Sequence, residues 1–392
     1  MSEDPQTDAQ ARIAELERQL AQAEAKLAKA DQVAAGQGQN VTAGGDMADN
    51  TIVTGDGNIT IIAEQVSAEF VRALQSTQLS ESDLQAATQA YIQFLLTRFR
   101  YLDFRGMGMA DRVALQLPLT AMYVPLKARQ ESPRGETWAR EMMVAGRKAG
   151  EAEAMAMGEK LGAPQPLLDL MARQKGLVIL GDPGAGKTTF LKYLAMRLAL
   201  GQGDAMQLGG RLPILVPLSA YANAIAEHDV SLQEFLGDYY RNQGVEIPVG
   251  ALVDALLASG KALVMFDGLD EVQAQQQRTL VVDRVERFFA FHSQRGNKFL
   301  LTSRIVGYRD VRLNVDGLIE CTLVDFDDDD IEDFVGKWSG ALEQASQGAG
   351  VVSARNAAQE ADELLFAVGH NPGVRRLASN PLLLTILALM KR

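Results

Sequence analysis

The chain has 392 residues, of which 47% are hydrophobic and 22% charged, and its formal net charge is −12. This composition is typical of a globular protein of roughly two to three domains, and it argues against constitutive nucleic-acid binding through a broad basic face. A single cysteine, Cys321, excludes an internal disulfide framework, and neither a signal peptide nor a run of about 20 apolar residues is apparent, so we expect a cytoplasmic protein without a membrane partner.

The first 35 residues carry the pattern of one amphipathic helix. Its apolar residues recur in alternating steps of three and four, as in a heptad seam, at Ile13, Leu16, Leu20, Ala23, Leu27 and Ala30. Because the alanines make this seam thin, two interpretations stay open: a coiled coil through which copies associate, and a single solvated helix. We expect a coiled-coil helix over residues 1–35.

A segment rich in glycine and asparagine follows over residues 36–66. Its two β-prone runs, 51–54 and 59–62, are separated by turn residues, which favours hairpins or stacked β-arcs, although a flexible linker is an equally good interpretation. Residues 67–150 form a mixed region. It is helical up to about residue 100, with an N-cap near Ser80, and it contains a strand over residues 122–126 that a proline ends.

From residue 177 onward, short apolar strands alternate with helices, as in parallel α/β sheets. The predicted strands are residues 177–180, 213–218, 262–266, 298–302 and 317–323. We therefore expect an α/β nucleotide-binding domain over residues 151–325. A helical domain over residues 326–392 follows, in which the aspartates at 327–330 oppose the positive end of a helix dipole and residues 377–390 form the last helix.

A complete phosphate-binding loop follows the first of these strands and opens a helix. It consists of Gly181, Asp182, Pro183, Gly184, Ala185, Gly186, Lys187, Thr188 and Thr189. Glycines let backbone N–H groups close around phosphate oxygens, the lysine reaches the terminal phosphates, and the Thr188 hydroxyl can hold Mg²⁺. This context predicts that a nucleoside triphosphate binds here with Mg²⁺.

Acidic residues end the third predicted strand. Asp267 stands at its C-terminal edge, where it can hold Mg²⁺, and Asp270 or Glu271 can orient or deprotonate an attacking water. Arg304 ends the fourth strand, and its guanidinium matches the geometry of a γ-phosphate. Taken separately, each of these could be a surface turn or a surface arginine; their position after apolar strands favours the catalytic interpretation.

Together these elements resemble the NACHT family of signal-transducing NTPases, part of the STAND group that includes NOD-like receptors. The marks are Gly268 beside the metal-binding Asp267, the acidic pair displaced to positions 270 and 271, and Thr302-Ser303-Arg304 followed by Gly307-Tyr308. The resemblance covers roughly residues 94–392 and is most specific between 177 and 310.

The resemblance implies a P-loop NTPase core with a five-stranded parallel sheet in the order 5-1-4-3-2. A helical domain follows this core, and a helical or coiled-coil region precedes it. Asn380-Pro381-Leu382 is similar to the family motif whose proline touches the adenine base, which assigns that role to Pro381. The family pattern continues with a winged-helix domain and a C-terminal sensor that this sequence does not include, so we expect residues 326–392 to be a truncated first helical domain.

By the same resemblance, ADP holds a closed monomer, and exchange for ATP drives assembly into a homo-oligomer; bacterial members are implicated in defence against phage. We therefore expect a slow ATPase that acts as a signalling switch, with an unknown protein as stimulus or effector. The alternatives are a work-performing or metabolic P-loop ATPase or kinase, and a scaffold that binds nucleotide without hydrolysing it. The rate of turnover separates these classes.

Overall fold

The computed structural model describes residues 51–55, 58–62, 80–102, 116–130, 163–245, 248–347 and 351–391. The predicted coiled-coil helix lies outside these ranges. The described residues all belong to one unit, Asp49–Arg392. Nowhere in these ranges does a helix combine the length and the apolar character that crossing a membrane requires.

The two β-prone runs near the start of the described residues pair with each other. Strand β1 (Thr51–Gly55) runs antiparallel to β2 (Asn58–Ile62), and the register places Thr51 opposite Ile62 and Gly55 opposite Asn58. Threonine, isoleucine and valine favour this pairing because their branched side chains suit a pleated backbone. The described residues of this segment therefore form paired strands, and its remaining residues lie outside the described ranges.

The central sheet has seven strands, where the sequence predicted five. Its strands are β3 (Lys127–Arg129), β4 (Gln165–Pro166), β5 (Gly176–Leu180), β6 (Leu212–Pro217), β7 (Ala262–Asp267), β8 (Lys298–Ser303) and β9 (Leu318–Leu323). They lie in the order β4-β3-β9-β5-β8-β7-β6. The five strands from β5 to β9 are mutually parallel, and counted from β5 their order within this sheet is 5-1-4-3-2.

The prediction of an all-parallel sheet is wrong at one edge. Strand β3 pairs antiparallel with both β9 and β4, so the sheet is mixed. Each added strand has only two or three residues, and β4 is exposed, so neither carries the apolar run that identifies a buried strand. In contrast, all five residues of β5 are buried, as expected where a sheet is covered on both faces.

Thirteen helices occur in the described residues. They are α1 (Glu81–Phe99), α2 (Leu119–Met122), α3 (Leu167–Arg173), α4 (Lys187–Ala199), α5 (Leu218–Glu227), α6 (Leu232–Asn242), α7 (Val249–Ser259), α8 (Gln275–His292), α9 (Ile305–Arg309), α10 (Asp328–Gln347), α11 (Val351–His370), α12 (Pro372–Ala378) and α13 (Pro381–Met390). Ser80 is the N-cap of α1, since its hydroxyl accepts a hydrogen bond from the Asp83 N–H at 3.2 Å.

Two predictions about local structure are wrong, and proline explains both. Residues 122–126 are not a strand: they finish α2 and continue as extended chain, and the ladder begins only at β3, after Pro125. Proline has no N–H to donate to a ladder. The single helix predicted over residues 377–390 is broken after Ala378, because Asn380 caps a new helix with Pro381 at its first position.

Ion pairs fasten α10 to the chain that precedes the nucleotide-binding core. Lys127 contacts Asp327 at 2.6 Å and Asp330 at 2.9 Å, and the Lys337 ammonium donates to the Tyr123 carbonyl at 2.9 Å. Lys127 is about one-third exposed, so the pair itself contributes little free energy of folding. Its consequence is geometric, since it holds the segment before β3 against the helices that follow β9.

Candidate nucleotide-binding site

The loop between β5 and α4 has the backbone of an anion-binding turn. Gly184 and Gly186 adopt positive φ angles of 78° and 90°, which other residues rarely accept. Gly186 is the N-cap of α4, and no side chain caps this helix start. The first N–H groups of α4 therefore point toward the loop with the positive end of the helix dipole behind them, an arrangement that suits phosphate.

Lys187 is held inside this loop. Its ammonium donates hydrogen bonds to the carbonyl oxygens of Gly181 at 2.7 Å and Asp182 at 3.0 Å. Burial lowers the pKa of the Lys187 ammonium, and the nearby carboxylates of Asp270 and Asp267 act in the opposite direction. A triphosphate would supply the negative charge that the backbone carbonyls only partly replace.

Two hydroxyl side chains donate to the Asp267 carboxylate at the end of β7. The Thr188 hydroxyl donates to Asp267 Oδ1 at 3.2 Å, and the Thr302 hydroxyl donates to the same oxygen at 2.6 Å. Thr302 Oγ1 in turn accepts a hydrogen bond from the Gly268 N–H at 2.9 Å. Thr302 is fully buried, so this bond fixes the orientation of the carboxylate from behind.

This donor set fits Mg²⁺. The ion binds oxygen in near-octahedral geometry at about 2.1 Å, which places neighbouring ligand oxygens about 3 Å apart. Thr188 Oγ1 and Asp267 Oδ1, 3.2 Å apart, meet that spacing. These two residues would hold the ion, and the ion would neutralise charge on the phosphates beside it.

The acidic pair lies in a 3-10 turn, Leu269–Glu271, that follows Gly268. The Asp270 carboxylate accepts a hydrogen bond from the Arg304 backbone N–H at 2.9 Å, and its second oxygen lies 3.0 Å from Arg304 Nε. The Asp270 side chain is 12% exposed and the Arg304 side chain 55%. Two residues that the sequence assigned separately are therefore an ion pair, with Arg304 partly open to the cavity.

Glu271 is placed differently from its neighbour. Its side chain lines the cavity, and in the described part of the chain no hydrogen-bond donor reaches its carboxylate. Burial raises the pKa of the Glu271 carboxyl, and the negative charges of Asp267 and Asp270 raise it further. A carboxylate with a raised pKa and no fixed partner is suited to accept a proton from water.

All of these groups border one cavity of about 420 Å³. The phosphate loop, the ends of β7 and β8 and the acidic turn contribute Pro183, Gly184, Ala185, Gly186, Lys187, Thr188, Thr189, Asp267, Asp270, Glu271, Thr302 and Arg304 to its lining. Mostly apolar residues complete the lining: Tyr101, Leu102, Leu119, Met122, Tyr123, Val124, Leu126, Phe326, Phe334, Pro381, Leu382 and Thr385. Charged and hydroxyl groups together with apolar side chains match the two kinds of surface that a nucleotide presents.

The start of α13 contacts the phosphate loop directly. The Asn380 side-chain amide donates to the Pro183 carbonyl at 3.0 Å, and the Leu382 N–H donates to the Gly184 carbonyl at 3.2 Å. The side-chain oxygen of Asn380, Oδ1, meanwhile accepts hydrogen bonds from the N–H groups of Leu382 and Leu383, as an N-cap does. Pro381 itself lines the cavity, and its contact with an adenine base stays a prediction.

Sequence reasoning did not predict the contacts that two of these residues, Asn380 and Thr302, make in the site. Asn380 precedes a proline at a helix start, which is a capping signal, but the second bond from its amide depends on the approach of α13 to the loop. Thr302 ends a buried strand, and the fact that it faces Asp267 follows from the pairing of β7 with β8. Both contacts are long-range and leave no local pattern.

Comparison with known proteins identifies this arrangement. Residues 175–341 match the model of the NACHT domain. These residues are a NACHT domain. The match supports a nucleotide-binding ATPase domain of the P-loop class over these residues. No curated protein matches the chain.

Three solved structures are similar only at a distance. A DNA replication initiation factor shares 14% identity at a TM-score of 0.28, over 55% of this chain and 56% of that one. The E. coli MS115-1 HORMA:CdnC:Trip13 complex contributes a chain at 15% identity and TM-score 0.31, over 71% and 77% of the two chains. PCH-2 of C. elegans shares 14% at TM-score 0.30, over 57% and 64%. The chain thus spans little over half the length of the first of these, and likeness this weak carries no argument about function.

Proposed function

We propose that the chain is a nucleotide-dependent signalling switch. It binds ATP with Mg²⁺, hydrolyses it slowly, and assembles into a homo-oligomer when ATP replaces ADP. The NACHT domain and the cavity lined by both polar and apolar groups support nucleotide binding. That the bound nucleotide controls assembly is a further inference, and it depends on the contact between α13 and the phosphate loop.

One observation carries the proposal: the start of α13, which lines the cavity, is hydrogen-bonded to the phosphate loop. Asn380 and Leu382 hold the carbonyls of Pro183 and Gly184. A Cβ added at Gly184 would lie 2.7 Å from the Leu382 Cβ, so the loop and α13 are in close contact. Exchange of the nucleotide bound by the phosphate loop can therefore act on α13 directly. If ATP and ADP favour different arrangements of the loop and α13, each nucleotide shifts the population toward the arrangement that it binds better.

The two acidic residues have different roles in this proposal. Glu271 accepts the proton of the attacking water, because its carboxylate faces the cavity with a raised pKa. Asp270 holds Arg304 at Nε, and the Arg304 side chain is 55% exposed. Arg304 can then contact a γ-phosphate while it is anchored at Nε, and lose that contact after hydrolysis.

The decisive experiment compares assembly and turnover in one preparation. Light scattering after size-exclusion chromatography should show a monomer with ADP and a larger species with a non-hydrolysable ATP analogue plus Mg²⁺. Turnover should be a few molecules of ATP per minute or fewer. Equal size with both nucleotides would contradict the switch, and turnover of about 1–100 s⁻¹ would favour a kinase-like enzyme.

We extend the proposal to a signalling role in bacterial defence against phage, and this extension rests only on the family resemblance. The partner would be an unidentified protein that acts as stimulus or effector. Phage should form fewer plaques on cells that express the chain than on cells that express the Lys187→Ala variant. Equal plaque counts across a broad phage panel would count against this role and leave the nucleotide switch untouched.

A further inference from the structure

The acidic turn and the start of α9 are joined by an arginine with no role in the site so far. Arg278 lies on the first turn of α8, and its guanidinium is directed back toward the 3-10 turn. Its Nη2 donates to the Val272 carbonyl at 2.7 Å and its Nε donates to the same oxygen at 3.0 Å. These two bonds cap the end of the turn that contains Asp270 and Glu271.

The same guanidinium reaches both sides of the ion pair. Arg278 Nη2 lies 3.5 Å from the Asp270 carbonyl, and Nη1 lies 3.5 Å from the Gly307 carbonyl on α9. The planar fork therefore spans the acidic turn and the helix that follows Arg304. The fork contacts these three carbonyls through three separate nitrogens, an arrangement that the single nitrogen of a lysine ammonium does not reproduce.

Gly307 shows how closely the two segments approach. A Cβ added at this position would lie 2.6 Å from the Asp270 Cβ and 3.2 Å from its Cα. Real Cβ atoms do not tolerate the shorter distance, so a side chain here would push α9 away from the turn. Gly307 is thus required for contact between the segments and not for an unusual backbone angle.

We propose that Arg278 and Gly307 are positioning residues for the NTPase reaction. Together they clamp the Leu269–Glu271 turn against α9, so that Asp270 reaches Arg304 and Glu271 stays directed into the cavity. Neither residue touches the nucleotide. The inference rests on the proposed hydrolytic roles of Glu271 and Arg304, and it adds the parts of the chain that set their distance.

The clamp predicts one signature for two unrelated substitutions. Arg278→Met and Gly307→Ala should each lower kcat about 10- to 100-fold, because displacements near 1 Å at reacting groups have effects of this size, while the Kd for ATP changes less than about threefold. Arg278→Lys should stay close to Arg278→Met in kcat. Full activity in Arg278→Lys would overturn the role of the forked geometry.

Matched controls are available on neighbouring helices. Arg287 lies on the same helix as Arg278, is 76% exposed and pairs with Asp283, so Arg287→Met should leave kcat unchanged. Gly336 lies on α10 with nothing within 4 Å of an added Cβ, so Gly336→Ala should also be neutral in turnover. A fall in kcat for these controls equal to that of the clamp variants would overturn the inference.

A double-mutant cycle tests whether Arg278 acts through Arg304. Starting from Arg304→Met, the further change Arg278→Met should lower kcat by a smaller factor than it does in the unmodified chain, since only its effect through Glu271 remains. Fully multiplicative losses would contradict positioning of Arg304.

Hydrogen–deuterium exchange measures the clamp without relying on turnover. Amides of residues 268–272 and 305–308 should exchange about tenfold faster in Arg278→Met than in the unmodified chain, while β5 amides stay unchanged. If exchange rises and the unmodified chain hydrolyses no ATP, the clamp holds and the proposed function fails. If exchange in both segments is unchanged, the clamp itself is refuted whatever the turnover.

Discussion

The two sides of the cavity hold their functional groups in different ways. On the loop side, backbone N–H groups surround the phosphate position, and Lys187 rests on two backbone carbonyls. On the opposite side, two charged groups are held by other side chains: Asp267 by Thr302, and Arg304 by Asp270. The loop side is thus a cradle whose shape follows from local backbone, and the opposite side is a network whose shape depends on how strands and turns meet.

This difference predicts separate consequences for substitution. Changes on the loop side should remove binding, and changes in the network should alter hydrolysis or metal dependence while nucleotide stays bound. A third set, at the contact with α13, should alter communication more than either. Each of the following substitutions tests whether binding, hydrolysis and communication separate in this way.

The largest effect on nucleotide affinity is expected from Lys187→Ala. The variant loses the only ammonium that the loop itself supplies to the phosphates, and charge-assisted hydrogen bonds of this kind contribute about 3 kcal/mol together, or about 100-fold in affinity. Isothermal titration calorimetry with ATP and Mg²⁺ measures it. Lys192→Ala is the control, because Lys192 also lines the cavity but lies one turn further along α4; equal losses in both variants would show that charge alone matters.

Glu271→Gln should separate hydrolysis from binding. Removing a general base lowers turnover by about 10²- to 10⁴-fold, while an amide of the same size leaves the cavity open to ATP. A radiometric assay of phosphate release, together with a binding titration, gives both quantities. Asp270→Asn is the comparison, since it weakens the hold on Arg304 and leaves Glu271 in place; undiminished turnover in Glu271→Gln would move the base elsewhere.

The pH profile of kcat sharpens the same assignment. Because burial raises the pKa of the Glu271 carboxyl above its ordinary value of 4.5, the reactive carboxylate is lost as pH falls through this raised value. The unmodified chain should therefore lose activity on the acid side at a pH above 4.5. Residual activity of Glu271→Gln should lack this acid limb.

Thr302→Val tests the network that supports the metal. The substitution keeps the volume of a fully buried side chain but removes the hydroxyl that orients Asp267 and accepts from Gly268 N–H. Supporting residues of this kind typically contribute 10- to 100-fold to metal affinity, so the Mg²⁺ concentration for half-maximal turnover should rise by about 10-fold or more. Binding of ATP without Mg²⁺ should not change.

Thr322→Val is the matched control for that experiment. Thr322 lies on β9 of the same sheet, is 2% exposed, and its hydroxyl has no hydrogen-bond partner within the described ranges. The same change there should leave the Mg²⁺ dependence as it was, and stability should be equal or slightly higher. If both valine variants shift the Mg²⁺ dependence alike, the effect comes from strand packing and not from the Asp267 hydrogen bond.

The contrast between the two sides also explains what sequence can predict here. The loop, the strand before it and the helix after it form one continuous segment, so its glycines, Lys187 and Thr188 could be identified by spacing alone. Asp267 and Arg304 could be identified because each ends an apolar strand. That Asp270 binds Arg304 could not, because the pair joins residues 34 positions apart through the packing of a turn against α9.

The edge of the sheet shows the same limit. Strand β3 has three residues and β4 two, and they join the sheet through β9, which lies almost 200 residues after β3. Short strands of this kind are formed by tertiary contacts and not by propensity. The apolar wall of the cavity was missed for the same reason, since residues 119–126 reach it in a segment whose Tyr123 carbonyl accepts a hydrogen bond from Lys337 of α10, more than 200 residues later.

The smallest effect, and the one most specific to the switch, is expected from Asn380→Asp. Aspartate is as good an N-cap as asparagine, so α13 keeps its start, but the carboxylate has no N–H to donate to the Pro183 carbonyl and repels both that oxygen and a nearby phosphate. Affinity for ATP should fall about 3- to 10-fold, and the difference in assembly between ADP and the ATP analogue should shrink. Asn371→Asp makes the same change at the N-cap of α12, where the side-chain oxygen accepts from Gly373 and Val374 N–H groups. That variant should behave like the unmodified chain. If the two variants behave alike in the light-scattering comparison, α13 covers the cavity but does not respond to the state of the phosphate loop. The responsive network would then include Arg304 but not the contact with α13.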